Sequence, residues 1–322
     1  MPAAAPAVEL QDPFVLAEAD GYVWLKGNLH THTTNSDGRA SPQERVDQYA
    51  ARGYDFLCLS DHGRITPTAA VCAPPGLTLI QGVELHPQNP FGGQTHHFLA
   101  LDVQEDIDCA RMAPQHVIDA VREQGGWVWL AHPYWSSVNV LRDVLPLRGL
   151  AGVEVFNTTC HGNARGESAV HWNDWMELTG QLVPALAVDD AHGAESDRRD
   201  TYGGWTMVRV RQRDPASICA ALAQGCCYST TGPQIHAIRL RRLPDDERGR
   251  RVIQATVRCS AAQAIQAVYQ VVGTLYHRYG ETFEEATLAI APHARWVRFE
   301  IVAPDGRKAW SNPYDLEKVQ AG

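Results

Sequence analysis

Phe56-Leu57-Cys58-Leu59-Ser60-Asp61-His62 is the stretch that decides the fold. Four consecutive apolar residues without alternation read as a strand buried on both faces, the habit of parallel strands covered by helices. Serine, aspartate and histidine follow at once, where the strand leaves the core. The same pattern recurs along the chain. Tyr22–Leu29 reads as a strand running into His30-Thr31-His32, and Leu77–Val83 stops at Glu84. Phe98–Val103 is opened by His96-His97, and Trp127–Ala131 stops at His132. Gly152–Phe156, Val183–Val188 and Trp205–Val210 complete the series, the second of them running into Asp189-Asp190-Ala191-His192.

Helices fit between several of these strands. Ser41-Pro42-Gln43-Glu44 is an N-cap, a proline at the first helical position and a capping-box glutamate, followed by the stripe Val46, Tyr49 and Ala50, with Gly53 as the stop. Pro114–Gln124 is closed by Gly125-Gly126, and Asp214 caps a helix that runs to Gln224. Strand–helix alternation predicts an α/β fold with a parallel sheet, and seven or eight strands predict closure into a barrel. From about His236 the texture changes. Ile235–Arg241, Arg251–Cys259, Ile265–Val272 and Arg295–Ala303 alternate, with turns at Pro244-Asp245 and Asp305-Gly306, which predicts a small antiparallel β-domain. The expected organisation is an N-terminal extension 1–21, a barrel 22–234 and a C-terminal β-sandwich-like domain 235–322.

The 322 residues are 44% hydrophobic and 20% charged, enough for a large core. A formal charge of −9 disfavours a grip on long nucleic acid. The N-terminal stretch has no basic start and no apolar run, so no signal peptide is expected, and nothing approaches a membrane span. Eight cysteines without a CxxC pair point to reduced thiols in a cytoplasmic protein. There is no glycine-rich phosphate loop and no aromatic-basic stripe for single strands.

Active sites of such barrels lie at the C-terminal ends of the strands, so these distant residues are expected to converge. Imidazole and carboxylate together suit Zn²⁺, Mn²⁺ and Fe²⁺. His30 and His32, two apart, share one side of an extended chain, as do Asp190 and His192. By the same alternation only one of His96 and His97 can reach the site. Asp189 is then a supporting or structural carboxylate, and Asp61 either orients another ligand's free nitrogen or serves as a catalytic acid. Glu154 and Asn157 either line the pocket or support ligands. Arg64 and Arg165 are surface arginines or phosphate contacts. Tyr134-Trp135 with Trp172 and Trp175 either accept a ring or pack helices, with packing the expected role. Cys160-His161 lacks further partners, and His86, His116, His171, His236, His277 and His293 show no strand-end pattern.

His30-Thr31-His32, Ser36-Asp37-Gly38, Ser60-Asp61-His62, Gly82-Val83-Glu84, His97, Ala131-His132-Pro133 and Asp190-Ala191-His192 resemble the polymerase and histidinol phosphatase (PHP) superfamily, over about Trp24 to Pro233. Tyr228-Ser229-Thr230-Thr231-Gly232-Pro233 and Ala309-Trp310-Ser311-Asn312-Pro313 look like its carbaryl-hydrolase-like (CehA/McbA-type) branch, in which a β-domain follows the barrel. The resemblance implies a distorted (β/α)7 barrel and two or three divalent ions. His30, His32, Glu84 and Asp190 would hold the first; Glu84 would bridge to a second completed by His97 and His132; Asp37, His62 and His192 would hold a third. Glu84, Asp190 and His192 are then the residues expected to carry catalysis. The residue after His62 is Gly63, where many relatives carry a polar side chain, which leaves substrate positioning near Arg64 open.

Such a centre suits hydrolysis of a small phosphate mono- or diester. A carboxyl ester, amide or carbamate is the competing electrophile, and a non-catalytic metal-binding module is a third reading. Amidohydrolase barrels also begin with two histidines around one residue, but many bridge their metals with a mid-barrel lysine. The only lysines here are Lys26, Lys308 and Lys318, so Glu84 must bridge instead.

Overall fold

The computed structural model describes residues 10–14, 21–135, 138–194, 198–270, 273–278 and 280–319. Most of the expected extension, 1–9 and 15–20, lies outside the described residues, as do Val271 and Val272 at the end of one expected strand.

The barrel is built from β1 (Val23–Asn28), α1 (Pro42–Ala50), β2 (Phe56–Leu59), β3 (Thr78–Leu85), β4 (Phe98–Leu101), α2 (Pro114–Glu123), β5 (Trp127–Leu130), α3 (Leu141–Val144), β6 (Leu150–Asn157), α4 (Thr158–His161), α5 (Ala169–Thr179) and β7 (Ala185–Val188). Strands β1 to β7 are neighbours in sequence order. Closure comes at the far ends of β1 and β7, where Thr31 bridges Ala191 in parallel. There the His32 amide donates to Ala191 O at 2.9 Å and the Asp190 amide to His30 O at 2.8 Å. The capping box at Ser41 and Glu44 forms as read, and Asp214 caps α6 (Pro215–Ala223). Leu25, Phe56, Ile80, Leu99, Trp129 and Leu186 belong to one fully buried core cluster. A Cβ at Gly27 would overlap the Phe56 ring, so a glycine lets β1 and β2 approach.

One expectation needs correction. The sheet is mixed rather than parallel: β1–β2–β3 and β5–β6–β7 are parallel, but β4 is antiparallel to both its neighbours. The segment between Leu85 and Phe98 carries Pro87, Pro90 and two left-handed glycines, Gly92 and Gly93, and forms no helix. Without a crossover helix the chain turns back beside β3. The reversal has a useful consequence. The start of β4, not its end, faces the mouth, and that is where His96 and His97 stand.

β8 (Trp205–Val210) runs antiparallel to β1 and leads through α6 to β9 (Cys227–Thr230). The C-terminal part holds β10 (Ile235–Leu243), β11 (Val252–Ala262), β12 (Ala264–Val268), β13 (Thr274–His277), β14 (Phe283–Ile290), β15 (Trp296–Val302), β16 (Lys308–Ser311) and β17 (Tyr314–Asp315). An antiparallel sheet β10-β11-β14 packs on β13-β12-β15-β16 around Ile238, Val257, Leu288, Ile265, Val297 and Phe299. β16 pairs with β9, so the second sheet continues the barrel's own. The segments around Ser229 and Trp310 thus lie side by side. Asn312 locks this junction: its Oδ1 accepts from the Ala185 amide at 3.0 Å, and its amide group donates to Gly225 O and Cys227 O at 3.1 and 3.0 Å. Among the described residues no helix is long and apolar enough to cross a membrane.

Candidate metal centre

Strand geometry does most of the assembly. Past the end of β1, alternation turns His30 and His32 to one side and Thr31 to the other, where its hydroxyl donates to Cys58 O at 2.8 Å. The turn that follows is pinned by Asp61. That carboxylate accepts from the Thr33 amide and hydroxyl and from the Ser36 hydroxyl, each at 2.7 Å, and from Thr66. Burial pushes the Asp61 carboxyl up, but the hydrogen bonds from Thr66, Ser36 and Thr33 prevail and hold it low. Asp61 therefore anchors a loop, and no hydrogen bond joins it to a histidine among the described residues. Gly38 closes the loop, because a Cβ there would lie 2.5 Å from the His32 carbonyl. Asp37 is presented at the rim, 59% exposed.

Glu84, at the end of β3, is the centre of the cluster and only 1% exposed. Its Oε2 lies 3.3 Å from His30 Nε2, 3.4 Å from His32 Nε2 and 2.9 Å from His62 Nδ1. Its Oε1 lies 2.7 Å from His97 Nδ1 and 3.1 Å from His132 Nε2. Asp190 Oδ1 stands 3.3 Å from His30 Nε2 and 2.9 Å from His32 Nε2. At the rim, Asp37 Oδ1 is 3.4 Å from both His62 Nε2 and His192 Nε2 and 4.0 Å from His32 Nδ1. Donors therefore group as His30–His32–Glu84–Asp190, as Glu84–His97–His132, as His32–Asp37–His62–His192, and as His62–Glu84–His86.

These groupings fit divalent ions. Ligands about 2.1 Å from a tetrahedral ion lie about 3.4 Å from each other, and the first group's spacings run from 2.9 to 3.4 Å. His30 Nε2 and His32 Nδ1 are buried without a hydrogen-bond partner, an expensive state for polar atoms unless they face a cation. His132 and Asp190 also adopt left-handed backbone, with φ of 22° and 58°. Non-glycine residues held there store about 1–3 kcal/mol each, a habit of functional sites.

The charges compensate one another. Burial opposes ionisation of Glu84 and Asp190, but His30 and the other imidazoles hold both carboxyls well below the usual carboxylate range. Burial likewise opposes charge on His30, yet Asp190, Glu154 and Glu84 outweigh it and raise this imidazole well above 6.5. At His32 burial wins over its carboxylate partners, and the ring is pushed down to about 4.

A second layer holds the donors. Glu154 and Asn157, at the end of β6, hydrogen-bond His30, the His132 backbone and Asp190 rather than lining open space. Alternation also separates His97 from His96, whose Nδ1 meets Asn139 Oδ1 at 2.8 Å while the same Asn139 donates to His97 O. Asp189 faces away and accepts from Tyr49, Thr158 and the amides of Tyr202, Gly203 and Gly204. Arg45, fully buried, binds the carbonyls of His32, Ala191 and Gly193 and so clasps the seam between β1 and β7.

Other candidates stay outside the cluster. Trp172 and Trp175 are buried core residues. Arg165 donates to Tyr134 O, and Arg64 is exposed on the loop after His62. His171 is buried against Asn139 O, and Cys160 is buried beside an exposed His161. His86 is the residue that a reading of strand ends misses. Its Nε2 lies 3.1 Å from His62 Nδ1 and 3.7 Å from Glu84 Oε1. Its two-residue spacing from Glu84 repeats that of His30 with His32, and this was the available signal.

No family model matches the chain. It is 34% identical over 178 residues to a 3',5'-nucleoside bisphosphate phosphatase of Chromobacterium violaceum, covering 54% of this chain and 53% of that protein. It is 26% identical over 147 residues to an uncharacterised protein of Methanocaldococcus jannaschii, covering 41% of this chain and 82% of the other. The chain thus spans about half the length of the phosphatase it matches. Among solved structures, a two-domain protein from Bacteroides vulgatus containing a predicted PHP-like metal-dependent phosphoesterase superposes with a TM-score of 0.54 at 16% identity. That match covers 98% of this chain and 99% of the other, so both parts of the fold, the PHP-like barrel and the appended β-domain, are shared.

Proposed function

We propose that this chain, folded as a PHP-like barrel, is a metal-dependent phosphoesterase that hydrolyses small phosphate esters, nucleoside bisphosphates among them. The observation that carries the reading is Glu84, whose two oxygens face two different sets of histidines. Its partial identity to a 3',5'-nucleoside bisphosphate phosphatase supports the substrate class. The ligands proposed are His30, His32, Asp37, His62, Glu84, His97, His132, Asp190 and His192. An all-nitrogen-and-oxygen donor set of this kind suits Mn²⁺, Zn²⁺ or Fe²⁺.

Divalent ions held there would supply Lewis acidity toward phosphoryl oxygens and a water of lowered pKa. The chain supplies position and charge. Glu84 fixes the spacing between two donor sets, and Asp190 joins His30 to His32 on the inner side. His192, 29% exposed with Nδ1 against Asp190 O at 2.8 Å, keeps Nε2 turned toward Asp37 and the mouth. In hydrolysis a water oxygen bonds to phosphorus as the ester oxygen departs, and that leaving oxygen takes up a proton. The role we assign to Glu84, Asp190 and His192 in catalysis is to hold the donors of the cluster in position around the reacting phosphate.

The competing carboxyl-ester or carbamate reading drew on Tyr134, Trp135, Trp172 and Trp175 to hold a ring; Trp172 and Trp175 are committed to the core, and Tyr134 and Trp135 are half-buried on the loop after His132. A lysine-bridged site also lacks its lysine. Lys26 lies over the rings of Tyr54 and Trp205 at 4.0 and 4.7 Å, and Lys308 and Lys318 belong to the C-terminal part. The test is a hydrolysis panel with elemental analysis, before and after chelation. Turnover of phosphate monoesters, diesters or nucleotides that vanishes on chelation and returns with Mn²⁺ supports the proposal. Activity confined to carboxyl esters or carbamates contradicts it, and bound metal without any turnover points to a non-catalytic module.

A further inference from the structure

Glu154 is fully buried on β6 and belongs to none of the four donor groups. Its Oε1 lies 2.7 Å from His30 Nδ1. Its Oε2 accepts from the His132 backbone amide at 2.8 Å and from Asn157 Nδ2 at 3.1 Å. The same Asn157 amide reaches Asp190 Oδ2 at 3.2 Å. One carboxylate therefore touches, directly or through one side chain, three segments of chain that carry inner donors: the ends of β1, β5 and β7.

We propose that Glu154 is the positioning residue of the inner donor set, and that it locks His30 in the tautomer that leaves Nε2 free for a cation. This rests on the reading of the cluster as a metal centre. A neutral imidazole has one donor nitrogen and one acceptor nitrogen, and which is which follows from the partner. An ionised carboxylate only accepts, so His30 carries its proton on Nδ1. A cation that displaces the second proton then meets the lone pair on Nε2, which has no hydrogen-bond partner and stands 3.3 Å from both Glu84 Oε2 and Asp190 Oδ1. The bond to the His132 amide serves a second purpose, since His132 sits at φ 22° and needs a fixed partner to stay there.

Replacing the carboxylate by its amide, Glu154→Gln, is informative because the shape is kept while the acceptor pattern is not. With the new amide's oxygen toward His30, its nitrogen faces two donors, the His132 N–H and Asn157 Nδ2. With the oxygen toward those donors, the amide nitrogen donates to His30 Nδ1 and drives the proton to Nε2. The first orientation leaves the His132 N–H and Asn157 without their acceptor, and the second pairs all three neighbours only with His30 in the wrong tautomer. Loss of such a supporting partner weakens metal binding by about 10–100-fold.

The experiment compares full-length wild type with Glu154→Gln, both stripped by chelator, by calorimetric titration with Zn²⁺ alone and by elemental analysis. The tightest site is expected to weaken by about 10–100-fold in the variant while its far-UV circular dichroism stays that of wild type. A second measurement does not depend on the variant folding. In zinc-loaded wild type with ¹⁵N-labelled histidine, His30 is expected to show a protonated, exchange-protected Nδ1. Unchanged zinc affinity and stoichiometry in Glu154→Gln, or a His30 whose Nδ1 carries no proton, overturns the role given to Glu154 alone. Wild type that takes up no zinc overturns the metal-centre reading and this inference with it.

Discussion

The inner and outer halves of the histidine cluster use the same residue types and differ in how those residues are held. His30, His32, Glu84, His132 and Asp190 are buried, and Glu154, Asn157 and the β1–β7 seam brace them from behind. Asp37, His62 and His192 are 59%, 29% and 29% exposed; Asp37 rides on a turn and His192 leans on a backbone carbonyl. Donor chemistry alone would rank the two halves as equals. Burial and support do not, because immobilised, desolvated donors lose less entropy and meet less competition from water when a cation binds. The inner half should therefore hold its ions tightly, and the outer half should exchange its ion readily.

The largest expected effect comes from the residue the two inner donor groups share. Glu84→Gln should cut phosphate-ester turnover by about a hundred- to a thousandfold, on the scale of losing preorganised charge stabilisation. Steady-state kinetics on a variant whose circular dichroism matches wild type checks this. Retained activity would break the assignment of Glu84 as the bridge.

A smaller contrast separates the halves themselves. His30→Ala should lose metal that survives dialysis of the wild type, whereas Asp37→Asn should keep that metal and raise only the concentration of added Mn²⁺ needed for half-maximal rate. Elemental analysis after dialysis, beside a Mn²⁺ activation curve, measures both. Equal losses in the two variants would erase the proposed difference.

Acidity sharpens the comparison further. His30 and His132 have raised pKa values, burial being outweighed by facing carboxylates and by the Glu84 hydrogen bond. A raised value means the proton is held more firmly in the metal-free fold, and a cation must displace it. Metal affinity should thus begin to fall while pH is still above 6.5, by up to about tenfold per unit for each proton displaced. The carboxyls of Glu84 and Asp190, held low, stay ionised throughout that range. Zinc titrations between pH 6 and 8.5 test the sign; affinity that rises on acidification would contradict it.

The smallest effect on chemistry belongs to the other end of the molecule. Asn312→Ala should cost about 1–3 kcal/mol of stability by leaving buried groups at Ala185, Gly225 and Cys227 unpaired, with kcat nearly unchanged. Thermal denaturation and kinetics on the same preparation separate the two.

How much of this was legible follows from what period-two alternation can and cannot carry. It sets apart His97 from His96 and Asp190 from Asp189 without any coordinates, since neighbours on a strand face opposite ways. It points equally to His86, which shares a face with Glu84 but stands one step past the end of β3, beyond the apolar run that marks the strand. Strand direction was not legible: β4 reverses because the Pro- and Gly-containing segment before it makes no crossover helix, and the run Phe98–Leu101 looks the same either way. Asp61 was expected near a ligand nitrogen, but its partners Thr33, Ser36 and Thr66 belong to loops whose folding no local pattern encodes. In the C-terminal part β13, β14, β16 and β17 fall outside the expected strands, for their alternation is short or, in β14, interrupted by exposed glutamates.

The most direct test of the whole account is anomalous diffraction from crystals of the manganese- or zinc-loaded protein. Two peaks flanking the Glu84 carboxylate, about 3.5–4 Å apart, are expected, one beside His30 and Asp190 and one beside His97 and His132. A loaded, active crystal with no anomalous peak within bonding distance of Glu84 would contradict it.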